Sequence, residues 1–237
     1  MNKSKVIFSS ICVVILICFI ALMFSAFNGI NITKTAGTTK VIPQIVIDAG
    51  HGGEDGGAVN NDGVLEKDIN MNIANDTADL LEFFGFSVTQ TRSTDVSLAT
   101  DGNSVRERKV ADMKKRLEIF NSNENNIVIS IHQNKFTQSQ YYGTQIFYSP
   151  NNENSLNLAE SIKYTVTTLL QPENKRECKK ADKNIYLLVH STVPAVIVEC
   201  GFISNSDECA KLVTEEYQKQ MAYSIVSGFL NFYNTNS

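Results

Sequence analysis

The chain reads as a single three-layer α/β domain, a mostly parallel twisted sheet flanked by helices, preceded by an apolar N-terminal segment. Three observations predict this. From about residue 41 onward, short β-branched runs alternate with longer helical patterns; several of those runs are apolar throughout; and no internal repeat or low-complexity stretch breaks the order. Alternating periodicities mark β-α-β units, and continuously apolar strands need helices over both faces of their sheet. A length of 237 residues suits one domain with a short appendage and a real hydrophobic core.

The first element, Val6 to Phe27, is uncharged and follows Lys3 and Lys5. An apolar stretch of about 20 residues matches a hydrocarbon core of roughly 30 Å, and flanking lysines favour a cytoplasmic N-terminus, with the rest of the chain outside. A secretory signal has the same polarity but an apolar region of only about 7 to 15 residues. Residues 1–27 therefore read first as a membrane anchor and second as a signal cleaved near Ser25, Ala26 and Phe27. Residues 28–40, polar and rich in Thr and Gly, fit a flexible linker, and residues 41–237 form the folded domain.

Within the domain, QIVIDAG is expected as a strand, LEKDINMNIANDTADLLEFF as a helix, FSVTQTR as a strand, SVRERKVADMKKRLEIFNSN as a helix and NIVISIHQN as a strand. GTQIFYS follows as a strand, NSLNLAESIKYTVTTLL as a helix, and NIYLLV and PAVIVECG as two further strands. SDECAKLV and EEYQKQMAYSIVSGFLNFY close the chain as helices; in the second, Tyr217, Met221, Ile225 and Phe229 recur at i, i+4 and read as a core-facing stripe.

Composition narrows the function. Acidic residues number 25 against 21 basic ones with no long basic run, so no nucleic-acid partner is expected. Outside the N-terminal segment the cysteines are Cys178, Cys200 and Cys209, an odd and scattered set with neither a disulfide framework nor a Cys-x-x-Cys metal spacing. The sequence carries no signal for an oligomeric state.

Only three histidines occur, so each can be weighed. His51 follows an apolar strand inside a loop with Gly50, Gly52, Gly53, Gly56 and Gly57, which lacks the Lys-Ser/Thr pair or helix-opening GxGxxG of a phosphate cradle. The glycines instead allow a sharp turn and leave room for a bulky substrate beside the histidine. His132 closes NIVISIHQN; alone it would pass for a satisfied polar group, but ligands of such sheets gather at the carboxyl ends of strands, where His51 also lies. Two imidazoles and a carboxylate are the ligand set of a hydrolytic zinc site. Glu66, at the start of the first helix, can supply the carboxylate, with Asp68, Asp62, Asp55 and Glu54 as rivals on chemical type and an ordinary helix-start role as the plain alternative. Glu199 ends a strand apolar enough to be buried on both faces, a costly place for a charge unless a metal or partner is near, and there it would serve as general base and acid. His190, after YLLV, could replace any of these ligands or touch substrate, and Asn134 and the loop glycines, Gly53 among them, are further candidates for substrate contact.

Taken in order, DAGHGGEDGGA, GVLEKDINMNIA, SIHQN and VPAVIVECGFISN resemble the zinc-dependent N-acetylmuramoyl-L-alanine amidases of the amidase-3 type, over about Val41 to Tyr233. The resemblance implies Zn2+ held by His51, Glu66 and His132, with Glu199 catalytic, and so chooses Glu66 over its acidic rivals. It implies cleavage of the amide between the lactyl group of muramic acid and L-alanine in peptidoglycan, outside the cytoplasmic membrane. QSQYYGTQIFYS and LLQPENKRECKKADKNIYLL further resemble the CwlD-type amidases of endospore formers, which implies spore-cortex peptidoglycan, a step toward muramic δ-lactam, and a place in the forespore/cortex space. His190 with Ser191 departs from that pattern. Some relatives plug their zinc site with a helix inserted after SIHxN; here only Lys135 to Tyr142 separate that motif from the next strand, too few for such a helix. Control then falls to timing of expression, location, metal loading or a separate activator protein. The competing readings are another cell-wall zinc peptidase or deacetylase, and an inactive membrane-anchored wall-binding module.

Overall fold

Isoleucine and valine dominate the short runs of this chain, and their stiff branched side chains suit a pleated, buried surface. In the computed structural model, which describes residues 42–235, they build β1 (Gln44–Ala49), β2 (Ser87–Gln90), β3 (Asn126–Asn134), β4 (Gln145–Tyr148) and β6 (Ala195–Phe202), with β5 (Lys179–Lys180) as a two-residue edge. The strand order is β2-β1-β3-β6-β4-β5. β2, β1, β3 and β6 run parallel, β4 runs antiparallel to β6, and β5 pairs parallel with β4. The apolar segment 6–27 and the linker 28–40 lie outside the described residues; among those described, no helix is long and apolar enough to cross a membrane.

The helices are α1 (Glu66–Phe83), α2 (Val105–Phe120), α3 (Asn154–Leu169), α4 (Tyr186–His190), α5 (Ser206–Leu212) and α6 (Glu215–Thr235). Side chains alternate across a strand, so each central strand feeds two cores. Ile45, Ile47, Ile129, Ile131, Val196 and Val198 pack on one face with Ile73 and Leu81 of α1, Ile162 of α3 and Phe229 of α6. Val46, Val128, Ala195 and Ile197 pack on the other with Phe120 of α2 and Leu187 and Leu188 of α4. The α6 stripe does face the core: Met221, Ile225 and Phe229 are fully buried, and Phe229 sits edge-on to Phe86 at 5.0 Å.

One expected strand is a helix. NIYLLV becomes α4, whose Leu187 and Leu188 point into the second core while the peptide N–H of Val189 bonds back to Ile185. An apolar run this short fits a buried helical turn as well as a strand.

On the second face, each central strand changes character along its length. Val46 is followed at the same parity by Asp48 and Gly50, Val128 by Ser130 and His132, and Ile197 by Glu199. Pairing sets His132 opposite Glu199, and Asp48 opposite Ser130. The carboxyl edge of the parallel strands is thereby polar where their bodies are apolar.

Candidate metal centre

His51, Glu66 and His132 converge at that edge, each offering one ligand atom, all within 4.8 Å of one another. His51 comes from the loop after β1, Glu66 is the first residue of α1, and His132 belongs to β3. Glu66 stands between the imidazoles, with Oε2 at 3.3 Å from His51 Nε2 and Oε1 at 3.0 Å from His132 Nδ1. Its carboxylate is fixed by the backbone N–H groups of Ala58 (2.7 Å) and Gln133 (3.0 Å) and by the Asn70 amide (3.2 Å). Burial alone would raise its pKa, but the two histidines outweigh this and hold it well below the ordinary carboxylate range.

His51 is fixed from its other nitrogen. Asp55 can only accept, so Nδ1–H donates to it at 2.8 Å and Nε2 is left facing Glu66. Asp55 also accepts from Gly57 N–H and pairs with Lys109 at 2.8 Å. Burial works against a charged His51, yet the Asp55 and Glu66 bonds prevail and raise its pKa to about 9. The residue holds φ = 63°, the left-handed region, at a cost of about 1–2 kcal/mol for a side chain other than glycine.

Two glycines make the cluster possible. A Cβ on Gly50 would lie 2.3 Å from the His132 ring, and one on Gly57, at φ = 68°, would lie 2.6 Å from Glu66 Oε2 and 2.7 Å from His51 Cδ2. The space that these two glycines leave is filled by the side chains of His132, Glu66 and His51.

Glu199 projects from β6 on the face of His132, and its Oε2 is buried without a hydrogen-bond partner among the described residues. Burial pushes its carboxyl up to about 7; His132 and His51 pull it down and Glu66 pushes it up. Cys200, one residue on, turns to the opposite core with Val196 and Val198. A buried oxygen with no partner beside two imidazoles and a carboxylate fits a site built to receive a cation and a water.

The other sequence candidates divide. Asn134 lies at a register break of β3 against β6, half-buried, with no side-chain hydrogen bond to the described residues. Gly53 is already engaged, its N–H by Asp95 (2.8 Å) and its carbonyl by Lys67 (2.8 Å). His190 is apart from the cluster: exposed at the end of α4, its ring lies against Tyr186, and its carbonyl is held by Asn121, which precedes the amino end of β3. It does not join the group formed by His51, Glu66 and His132. Sequence reasoning also missed Asp48, a fully buried carboxylate bonded by Ser130 (2.5 Å) and Thr91 (2.7 Å), although the argument applied to Glu199, a charge in a buried strand, covers it equally.

Comparison with known proteins decides the kinship: the model of the N-acetylmuramoyl-L-alanine amidase family, Amidase_3, matches residues 45–231. The chain belongs to this amidase family. It is 35% identical over 190 residues to the germination-specific N-acetylmuramoyl-L-alanine amidase of Bacillus subtilis, covering 80% of this chain and 79% of that one. Its fold matches the CwlD amidase of Clostridioides difficile, solved in complex with the GerS lipoprotein, at a TM-score of 0.78 and 39% identity, covering 81% of this chain and 99% of that chain. A second N-acetylmuramoyl-L-alanine amidase, from Clostridium difficile 630, matches at a TM-score of 0.70 and 27% identity, over 82% and 98% of the two chains. The amidase fold thus covers the whole region from β1 into α6, and the four-residue cluster lies inside it.

Proposed function

We propose that this amidase is zinc-dependent, with His51, Glu66 and His132 as metal ligands and Glu199 as the acid–base residue, and that it cleaves the bond between the lactyl group of muramic acid and L-alanine in spore-cortex peptidoglycan. The observation that carries the mechanism is the placement of a partnerless, buried Glu199 oxygen on the same strand face as His132, beside three convergent ligand atoms. Bound Zn2+ would supply Lewis-acid chemistry, polarising the scissile carbonyl and acidifying water. Glu199 accepts the proton of the attacking water as oxygen bonds to the carbonyl carbon. Burial of Glu199 favours its protonated form, so it can then hold that proton and deliver it to the alanine nitrogen as the C–N bond breaks. The products are a lactyl carboxylate and a free peptide amine. Asn134, whose side chain makes no hydrogen bond among the described residues at the strand break, would be free to contact substrate.

The cortex assignment is supported by likeness to the germination-specific amidase of Bacillus subtilis and to the CwlD amidase. That the latter was solved with a lipoprotein supports a separate partner for this chain too. Residues 6–27 would carry the domain across the membrane and either anchor or release it. The connection from Lys135 to Tyr142 contains no helix, in keeping with a site that does not plug itself.

Glu199→Ala should bind zinc stoichiometrically yet release no peptide from purified peptidoglycan, and normal turnover by it would overturn the role given to Glu199. For the substrate, muropeptide profiles of spores lacking the protein should lose muramic δ-lactam. Unchanged δ-lactam would overturn the cortex reading.

A further inference from the structure

The loop carrying His51 adopts a conformation that its own sequence disfavours, and the structure shows what holds it. Three successive carbonyls, those of Ala49, Gly50 and His51, accept from two buried guanidinium groups. Arg92, just past β2, donates Nε to Ala49 O (2.9 Å) and His51 O (2.6 Å) and Nη2 to Gly50 O (2.9 Å). Its remaining bonds reach Lys67 O at 2.9 Å, one residue after Glu66, and Thr94 O at 3.1 Å. Arg116 of α2 donates to Ala49 O (2.8 Å) and, through Nη2, to His51 O (2.6 Å). Both side chains are 3% exposed, so these bonds are made where water does not compete.

Two like charges side by side need counter-ions. Arg116 has them in Asp48 (2.5 Å) and Asp112 (2.6 Å), and Asp48 is fixed in turn by Ser130 and Thr91. Among the described residues, the hydrogen-bond partners of Arg92 are all backbone carbonyls, with no carboxylate. A planar five-donor group spread over successive carbonyls fixes backbone shape in a way that a lysine ammonium cannot.

We propose that Arg92 and Arg116 are positioning residues of the metal centre: by clamping the carbonyls of residues 49–51 they hold His51 in its left-handed conformation, and Arg92 ties that loop to the start of α1 beside Glu66. Two of the three ligands are thereby set before any metal arrives. The inference rests on the metal reading given above. It differs from a general stabilising role because the bonds converge on the backbone of His51 and the two residues before it, and on the residue after Glu66.

The test is zinc affinity in the full chain, by competition with a chromophoric chelator, alongside circular dichroism and thermal unfolding of the zinc-free protein. Arg92→Lys is the main variant, since it strands no buried carboxylate; Arg116→Lys is the second. Each should weaken zinc binding about 10–100-fold, the range for groups that orient metal ligands, with the fold retained. With zinc saturating, kcat should return close to the parent value, because the ligands are intact. Arg108→Gln, which removes the exposed ion pair with Glu54 of the same loop, should bind zinc like the parent. Folded variants with parental zinc affinity but a lower unfolding temperature would overturn the proposal, as would loss of fold in both, since either result assigns the arginines to stability alone. Failure of the parent itself to bind zinc would instead refute the metal reading.

Discussion

His51 and His132 were legible because histidine is rare in this chain, and Glu199 because a charge in a buried strand demands a reason. Asp55 was not legible in the same way. Its type made it a rival ligand, but an i, i+4 spacing cannot say which imidazole nitrogen it meets, and it binds the nitrogen facing away from Glu66. A carboxylate on that nitrogen fixes the tautomer and orientation of a ligating histidine. Asp55→Asn should accordingly weaken zinc binding about 10–100-fold while leaving stoichiometry at saturation unchanged; parental affinity in chelator competition would remove Asp55 from that role. The raised His51 pKa makes a second prediction. Zinc requires neutral imidazole, so below about 9 a proton must leave as the metal binds, and apparent affinity should fall about tenfold for each pH unit lost between 8.5 and 7. Calorimetry in buffers of different ionisation enthalpy should record close to one proton released at pH 7.5, and a pH-independent affinity would contradict it. In the zinc-free chain the sign is reversed for stability. A folded pKa of about 9 against 6.5 favours the fold fully below 6.5, and the contribution is lost as pH rises through 9.

At the scale of elements, long periodic patterns were readable and short ones were not. The eighteen-residue α1 and twenty-one-residue α6 declare themselves by spacing, whereas the five-residue α4 offers too little length to separate helix from strand. β5 consists of two exposed lysines, whose pairing with β4 leaves no mark in hydropathy. What the readable helices do for the site is hold the sheet whose edge carries it. Phe229 of α6 is fully buried and contacts Phe86 and Tyr233 at ring distances of 5.0 and 6.1 Å. Phe229→Ala should cost about 3–5 kcal/mol in chemical denaturation, with zinc stoichiometry unchanged in the folded fraction. A loss below about 1 kcal/mol would show that α6 repacks freely.

Across the whole molecule, the sequence implied that strand ends would gather the candidates, because parallel strands present their carboxyl ends on one side. It did not imply the strand order. Nothing local tells that β6, last in the chain, inserts between β3 and the antiparallel β4, although that insertion puts Glu199 opposite His132. The carboxyl edge is thus made by segments far apart in sequence, and the resemblance of ordered motifs, not their spacing, selected Glu66. As proposed, this edge is a metal-assisted amidase site acting on one bond. The most direct test is mass spectrometry of the products released from purified peptidoglycan by the zinc-loaded full chain, with Glu199→Ala run in parallel. The expected products are free stem peptides with an unblocked N-terminal alanine and glycan bearing unsubstituted muramic acid, both absent for the variant. Cleavage within the peptide, loss of N-acetyl groups, or equal release by the variant would contradict it.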